Sequence, residues 1–352
     1  QTAAIDGGHC FLILLTRKKI KLKMNSLYPL KFNPILKDKI WGGNKMSKVL
    51  NKKQGNLPNI GESWELSGVA GDVSVVANGF LQGNSIDELI EVYMGDLVGD
   101  KIFSEFGTNF PLLFKFIDAD DYLSIQVHPN DELALKRHNS YGKTEMWYII
   151  DAQPGAKLIA GFNCEMSKQK YLDNLNAGTL RNIVNWEEVK AGDVFFMPAG
   201  RIHAIGPGIL LAEIQETSDV TYRIYDWDRI GADGQPREMH TNLAVDAIDY
   251  AHCNNYRTNY SINKNKSTNI ADCKHFTTNI LDFDKKIDID YGRIDSFVVY
   301  MAIEGSTQIN ASGANEPVLI EKGETVLIPA ELKEIALAPM QTKSKLIEVY
   351  IR

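Results

Sequence analysis

Gln126, His128, Glu145 and His203 are the side chains of this sequence best suited to hold a divalent cation together. Leu123 to His128 alternates in a strand-like way, and successive side chains on a strand point to opposite faces, so Gln126 and His128 share one face with Ser124. Glu145 opens the apolar run Met146 to Ile150, which reads as a strand buried between packed sheets, where a carboxylate needs a partner. His203 follows the turn residues Pro198 and Gly200 and starts another strand. Two imidazoles, a carboxylate and an amide oxygen on neighbouring strands suit one ion, and mixed nitrogen and oxygen ligation favours Zn²⁺ over Ca²⁺ or Mg²⁺.

The elements that must position these groups are mostly short strands. From Tyr28 the chain runs in extended pieces broken by Pro34, Gly42-Gly43, Pro58 and Gly61. Glu62 shares a face with Trp64 and reads either as a surface carboxylate beside a core tryptophan or as part of a site. Asn84 to Met94 has helical spacing, with Ser85 as N-cap and Glu88 as its capping-box partner. Glu165 to Glu188 breaks the strand rhythm and reads as a helical insertion walling the pocket, with a second short helix over Leu180 to Val184. Strands resume at Val194 to Pro198 and at Ile209 to Gln215, where Leu211, Glu213 and Gln215 share a face, making Glu213 a candidate base. Met239 to Ala251 is helical, and Asn254 to Asn269, rich in Asn, Ser and Lys, reads as a linker.

An internal repeat organises the whole. Ile320-Glu-Lys-Gly-Glu-Thr-Val-Leu-Ile-Pro-Ala echoes Val189-Lys-Ala-Gly-Asp-Val-Phe-Phe-Met-Pro-Ala, and each precedes further strands. The expected fold is mainly β with inserted helices: two jelly-roll barrels, the second degenerate. Glu334 stands in the second copy where His203 stands in the first, and no histidine follows His275, so only the first should bind metal. The expected division is an extension over 1–23, poorly ordered or foreign to the protein, a catalytic unit over 24–252, a linker over 253–269 and a C-terminal unit over 270–352.

The chain resembles the class I mannose-6-phosphate isomerases in their shorter bacterial form. The resemblance rests on Trp41-Gly-Gly, Gly61-Glu-Ser-Trp-Glu-Leu-Ser, Phe110-Pro-Leu-Leu-Phe-Lys-Phe, Gln126-Val-His-Pro-Asn-Asp, Gly142-Lys-Thr-Glu-Met-Trp-Tyr, Pro198-Ala-Gly-Arg-Ile-His-Ala-Ile-Gly and Thr217-Ser-Asp-Val-Thr-Tyr-Arg-Ile-Tyr-Asp. It implies a cupin enzyme with one Zn²⁺ per chain that interconverts mannose 6-phosphate and fructose 6-phosphate. It further implies that Lys115 and Ser124 lie near the substrate phosphate and that Arg223 is the active-site arginine. By their residue type alone, Lys115 and Lys143 would be snorkelling surface lysines, and Arg223 would pair with Asp219 or Asp226. Lys143 shares a strand face with Glu145; a lysine so near a metal transfers protons with a depressed pKa or neutralises phosphate.

Composition frames these readings. The 352 residues carry 38 basic and 45 acidic side chains, a net charge of −7, which argues against nucleic acid as a partner. A sugar phosphate would therefore need a local cluster of cations. The four cysteines form no close pairs, which suits reduced thiols in a cytoplasmic protein, expected as a monomer or weak homo-oligomer. Cys10 to Leu15 is apolar but too short to span a bilayer, so no membrane role is expected.

Isomerisation removes a proton beside a carbonyl and returns it to the neighbouring carbon through an enediol. A metal lowers the oxyanion's energy, and a base, Glu213 first and Lys143 second, moves the proton. Arg223 would stabilise the enediolate or help open the sugar ring. Two alternatives share the residues: an iron cupin oxygenase built on His128, Glu145 and His203, and a non-catalytic sugar-binding cupin.

Overall fold

The computed structural model describes residues 26–53, 55–231 and 234–352. The expected extension over 1–23 lies outside the described residues. The chain is mainly β, as expected, and its strands form four sheets.

The sheet that carries most of the site has six strands, in the order Ile35–Gly43, Ile60–Leu66, Leu112–Ala119, Ile209–Glu216, Glu145–Ala152 and Val194–Met197. Its central strands are buried on both faces, and the two faces serve different cores. Phe114 and Phe116, Met146 and Tyr148, and Leu210, Ala212 and Ile214 enter the largest core. The alternate residues Ile117 and Ala119, Trp147 and Ile149, and Ile209 and Leu211 pack in a second core on the other face. By strand alternation, Lys115, Glu145 and Glu213 continue that second face, which thus changes from apolar to charged along the strands.

A five-stranded sheet faces it, in the order Tyr222–Tyr225, Ile125–Val127, His203–Ile205, Lys157–Phe162 and Val184–Glu188. Its outer residues Ile125, Val127, Ile159, Ala204, Tyr222 and Ile224 form a third core with the helix Lys168–Asn176 and its surroundings. Gln126 and His203 consequently point inward. The C-terminal half builds a six-stranded and a four-stranded sheet, and the six-stranded one takes in Leu30–Lys31 from the start of the chain, paired with Thr325–Ile328. The largest core is continuous between the halves: Phe110 and Met146 share it with Phe276, Phe297 and Leu327.

The repeat has a common backbone cause. Gly192 and Gly323, equivalent in the two copies, both take left-handed φ values, +92° and +88°, ahead of the strands Val194–Met197 and Thr325–Ile328. Only glycine adopts these angles without strain.

Other local expectations meet mixed outcomes. The helix Ile86–Tyr93 is capped as expected, with the Ser85 N–H donating to Glu88 at 2.9 Å. Met239 to Ala251 yields the shorter helix Thr241–Ala247. Within Glu165 to Glu188 only Lys168–Asn176 is α-helical; Leu180–Asn182 is a 3-10 turn and Val184–Glu188 pairs as a strand. The N–H and C=O groups of Val184–Glu188 find partners on Lys157–Phe162, which a short helix beyond Gly178 would not supply. A strand, Ser267–Asp272, starts inside the stretch read as a linker. Among the described residues no helix is long and apolar enough to cross a membrane, and Cys164, Cys253 and Cys273 are free.

Candidate metal centre

Strand register brings the expected ligands together. Gln126 sits on the second strand of the facing sheet, with His203 on the central strand as its partner on one side and Arg223 on the edge strand as its partner on the other. Glu145 reaches in from the opposite sheet. His203 Nε2 lies 3.3 Å from Glu145 Oε1, and His128 Nε2 lies 3.6 Å from Glu145 Oε2. Ligands on tetrahedral corners about 2.1 Å from an ion stand about 3.4 Å apart, so these spacings suit one.

Three further observations test the fit. Both histidines direct Nδ1 at a main-chain carbonyl, His128 at Val220 O (2.9 Å) and His203 at Arg201 O (2.8 Å). A carbonyl only accepts, so each Nδ1 carries the hydrogen and each Nε2 presents a bare lone pair to Glu145; this is the orientation that outer partners impose on metal-binding histidines. Second, His128 Nε2 and Glu145 Oε1 are buried with no hydrogen-bond partner, and Glu145 Oε2 has only the Lys143 ammonium beside it, at 3.2 Å. Buried polar atoms are rarely left so, unless something else occupies them. Third, burial holds both imidazoles neutral: His128 falls well below its ordinary value and His203 to about 4. Neutral imidazole is the form that binds metal.

Gln126 departs from the expected set. Its Nε2 faces His203 Nε2 at 3.3 Å, while its Oε1 is 3.3 Å from Ser124 Oγ. Three ligand side chains therefore converge, His128, Glu145 and His203, and a half-turn of the Gln126 amide would turn its oxygen toward His203 Nε2.

Beside this centre opens a cavity of about 260 Å³ lined by Ser124, Gln126, Lys115, Lys143, Glu213 and Arg223, all residues singled out from the sequence. Lys115 and Lys143 are buried, which overturns the surface-lysine reading. Each has an anion: Lys143 Nζ lies 3.2 Å from Glu145 Oε2, and Lys115 Nζ lies 3.2 Å from Glu213 Oε1 and 5.0 Å from the centre of the Trp64 ring. Register explains the second pair, since Glu213 is the direct cross-strand partner of Lys115 on one side and of Trp147 on the other. The Trp147 indole donates to Glu213 Oε2 at 2.8 Å.

Charge settles accordingly. Burial opposes the ionised form of Glu213, but Lys115, Lys143 and the Trp147 N–H outweigh it and hold this carboxyl below the usual range. Burial likewise opposes the Lys143 ammonium, yet Glu145, Glu213 and Asp219 raise it. Without an ion beside it, Lys143 is thus held protonated by the carboxylates around it. Burial and the neighbouring Glu213 push Glu145 up.

Arg223 does not pair with Asp226. Arg229 and Arg237 take that carboxylate, Arg229 at 2.6 Å and Arg237 through two bonds, one of 2.7 Å from its Nε. Arg223 instead donates from Nη1 to Glu238 O at 2.7 Å, and its Nε is buried without a partner.

Lys39, Trp41, Glu62 and Arg237 also line the cavity, without having been assigned a role from the sequence. Glu62 accepts the Trp64 indole N–H at 2.7 Å and lies 3.4 Å from Lys39. Its signal was present, in the shared face with Trp64; Arg237 sits in a loop whose composition carried none. The insertion expected to wall the pocket does not line it.

A family model described as phosphomannose isomerase type I, catalytic domain, matches residues 29–154. The mannose-6-phosphate isomerase of Bacillus subtilis is 34% identical over 317 residues, covering 88% of this chain and 95% of that protein. That of Streptococcus mutans is 40% identical over 222 residues, 62% of this chain and 67% of that one. The crystal structure of the Bacillus subtilis mannose 6-phosphate isomerase superposes with a TM-score of 0.82 at 30% identity, covering 92% of this chain and all of that one. With the Bacillus subtilis relative matched over 95% of its length at 34% identity, the chain belongs to the type I phosphomannose isomerase family.

Proposed function

We propose that the protein interconverts mannose 6-phosphate and fructose 6-phosphate, an aldose–ketose isomerisation, with one Zn²⁺ held by His128, Glu145, His203 and Gln126. One observation carries the reading: the buried Nε2 atoms of His128 and His203 converge on the Glu145 carboxylate, His128 Nε2 and Glu145 Oε1 without a partner, beside a small cavity lined by five cationic and three carboxylate side chains. That excess of positive charge suits a dianionic phosphate in a chain that is acidic overall. The volume falls below the range of about 300–1,000 Å³ usual for drug-sized ligands, which suits a small polar one. Family membership removes the oxygenase alternative.

The ion would supply Lewis-acid polarisation of the sugar's carbonyl and hydroxyl oxygens. The chain's own residues do the rest. Glu213 is ionised and its Oε1 lies beside Lys115 without completing a hydrogen bond, so it is the proton acceptor. Lys143, held protonated, is the complementary donor on the same cavity wall. Arg223 carries fixed positive charge to the developing enediolate, and its buried, unpartnered Nε is free to donate. Lys115 and Ser124 would meet the phosphate. The repeat supports two jelly-roll units, the second a degenerate copy beginning near Ser267–Asp272.

A coupled assay for fructose 6-phosphate formed from mannose 6-phosphate tests the reading. Turnover is expected with the 6-phosphate and not with free mannose; absence of turnover in metal-replete protein overturns it.

A further inference from the structure

Behind the wall that carries Lys143 and Glu145 lies a larger cavity of about 1010 Å³, at the seam between the two halves of the chain. Asp131, Glu216 and His275 meet there, with potential ligand atoms within 4.8 Å of one another. The trio resembles a second metal centre, but its carboxylates are already engaged. Glu216 Oε1 accepts the Thr144 N–H at 2.7 Å, and Oε2 is 3.0 Å from His275 Nδ1. Asp131 Oδ1 accepts the Gly142 N–H at 3.0 Å, and Oδ2 accepts from Lys274 Nζ at 2.7 Å. A cation would have to displace an ammonium and compete with main-chain donors.

Two of these bonds share a target, the main chain of Gly142 to Thr144. Two more hold it: Lys143 N donates to Pro129 O at 3.1 Å, and Glu216 N donates to Thr144 O at 3.2 Å. The approach is close enough to require glycine, since a Cβ on Gly142 would stand 2.5 Å from the Asp131 nitrogen. The segment is therefore held by two carboxylates, and each carboxylate meets one of two adjacent residues, Asp131 the Lys274 ammonium and Glu216 the His275 ring, between the C-terminal strands Ser267–Asp272 and Thr277–Phe283.

We propose that the C-terminal half acts on the reaction through His275, a positioning residue seconded by Lys274. By fixing Glu216 and Asp131 they set the main chain from Gly142 to Thr144, and hence the places of Lys143 and Glu145. The half that lacks metal ligands thereby shapes the site in the half that has them. The inference rests on the roles given above to Lys143 and Glu145.

Full-length His275→Ala, His275→Asn and Asp295→Ala test it, with kcat, KM, metal affinity by equilibrium dialysis and thermal midpoint measured for each. Asp295 bridges the same seam by accepting the N–H groups of Asp100 and Lys101 at 3.0 and 3.1 Å, and so reports the stability lost with a seam contact alone. Loss of an outer-shell partner lowers metal affinity or activity by about 10–100-fold, so His275→Ala should lose about tenfold in kcat and in metal affinity while KM changes less than about twofold. His275→Asn, whose amide nitrogen stands near the Nδ1 position, should recover most of both; Asp295→Ala should lower the midpoint alone. The proposal is overturned if His275→Ala changes only the midpoint, or if it removes a second bound ion. If wild-type protein lacks isomerase activity the functional reading fails, and metal affinity in the same variants still decides the positioning role.

Discussion

The Lys143 ammonium stands 3.2 Å from Oε2 of Glu145, two residues along the chain, and both side chains are buried. One carboxylate oxygen thus faces the cation that lines the substrate cavity, while the other faces His203. On the function proposed above, the metal and the proton donor would meet on this one side chain.

Replacing Lys143 with Met keeps the stem and removes the charge. We expect kcat to fall by about 10²–10⁴-fold, the usual contribution of a positioned proton donor, with bound metal retained. Loss of metal together with activity would show that the ammonium only supports Glu145.

Glu213→Gln keeps an acceptor for the Trp147 indole but removes the ionised oxygen beside Lys115. Isomerisation run in heavy water should show exchange of the carbon-bound hydrogen in wild type and a loss of about 10²-fold or more in that exchange in the variant. Unchanged exchange would assign the acceptor elsewhere.

Arg223→Lys tests the guanidinium. Lysine keeps the charge but not the fork that reaches Glu238 O from one arm and leaves a buried Nε without a partner. Loss of one preorganised donor to an oxyanion lowers kcat by about 10²-fold, and we expect that magnitude with a smaller effect on KM.

Asp226 gives a stability prediction with a defined sign. Burial disfavours its charge, but hydrogen bonds from Arg237 and Arg229 prevail and hold its carboxyl below the usual value. A group depressed in the folded state contributes stability above its unfolded pKa of about 3.9 and loses it as pH falls through the folded value. Asp226→Asn should therefore be less stable by about 2 kcal/mol at neutral pH, with the difference shrinking in acid below about pH 4. A difference independent of pH in thermal or urea unfolding would contradict this.

Much of the site was legible because strand alternation is a strict rule. Once Leu123 to His128 and Ile209 to Gln215 are read as strands, the facing of Gln126, His128 and Glu213 follows; the first strand spans only Ile125–Val127, yet Gln126 and Glu213 line the cavity and His128, just beyond that strand, turns to Glu145. What alternation does not carry is which strands pair. Glu213 meeting Lys115 and Trp147, and Gln126 lying between His203 and Arg223, are facts of register between segments distant in sequence. For the same reason Arg223 was open to pairing with Asp226: nothing local says that Arg229 and Arg237 will claim that carboxylate. The helical reading of Leu180 to Val184 holds for the single 3-10 turn Leu180–Asn182 and ends at Val184, where a neighbouring strand offers backbone partners. The Asp131, Glu216 and His275 meeting joins two halves and leaves no periodic trace in either.

The central claim, one ion held between the two sheets, is tested most directly by metal content per chain in purified wild type, Glu145→Ala and His203→Ala, measured by elemental analysis after dialysis. We predict one zinc per chain in wild type and less than about a tenth of that in either variant, with each variant still folded, because removing a ligand opens the site. Equal metal content in all three proteins would contradict the account.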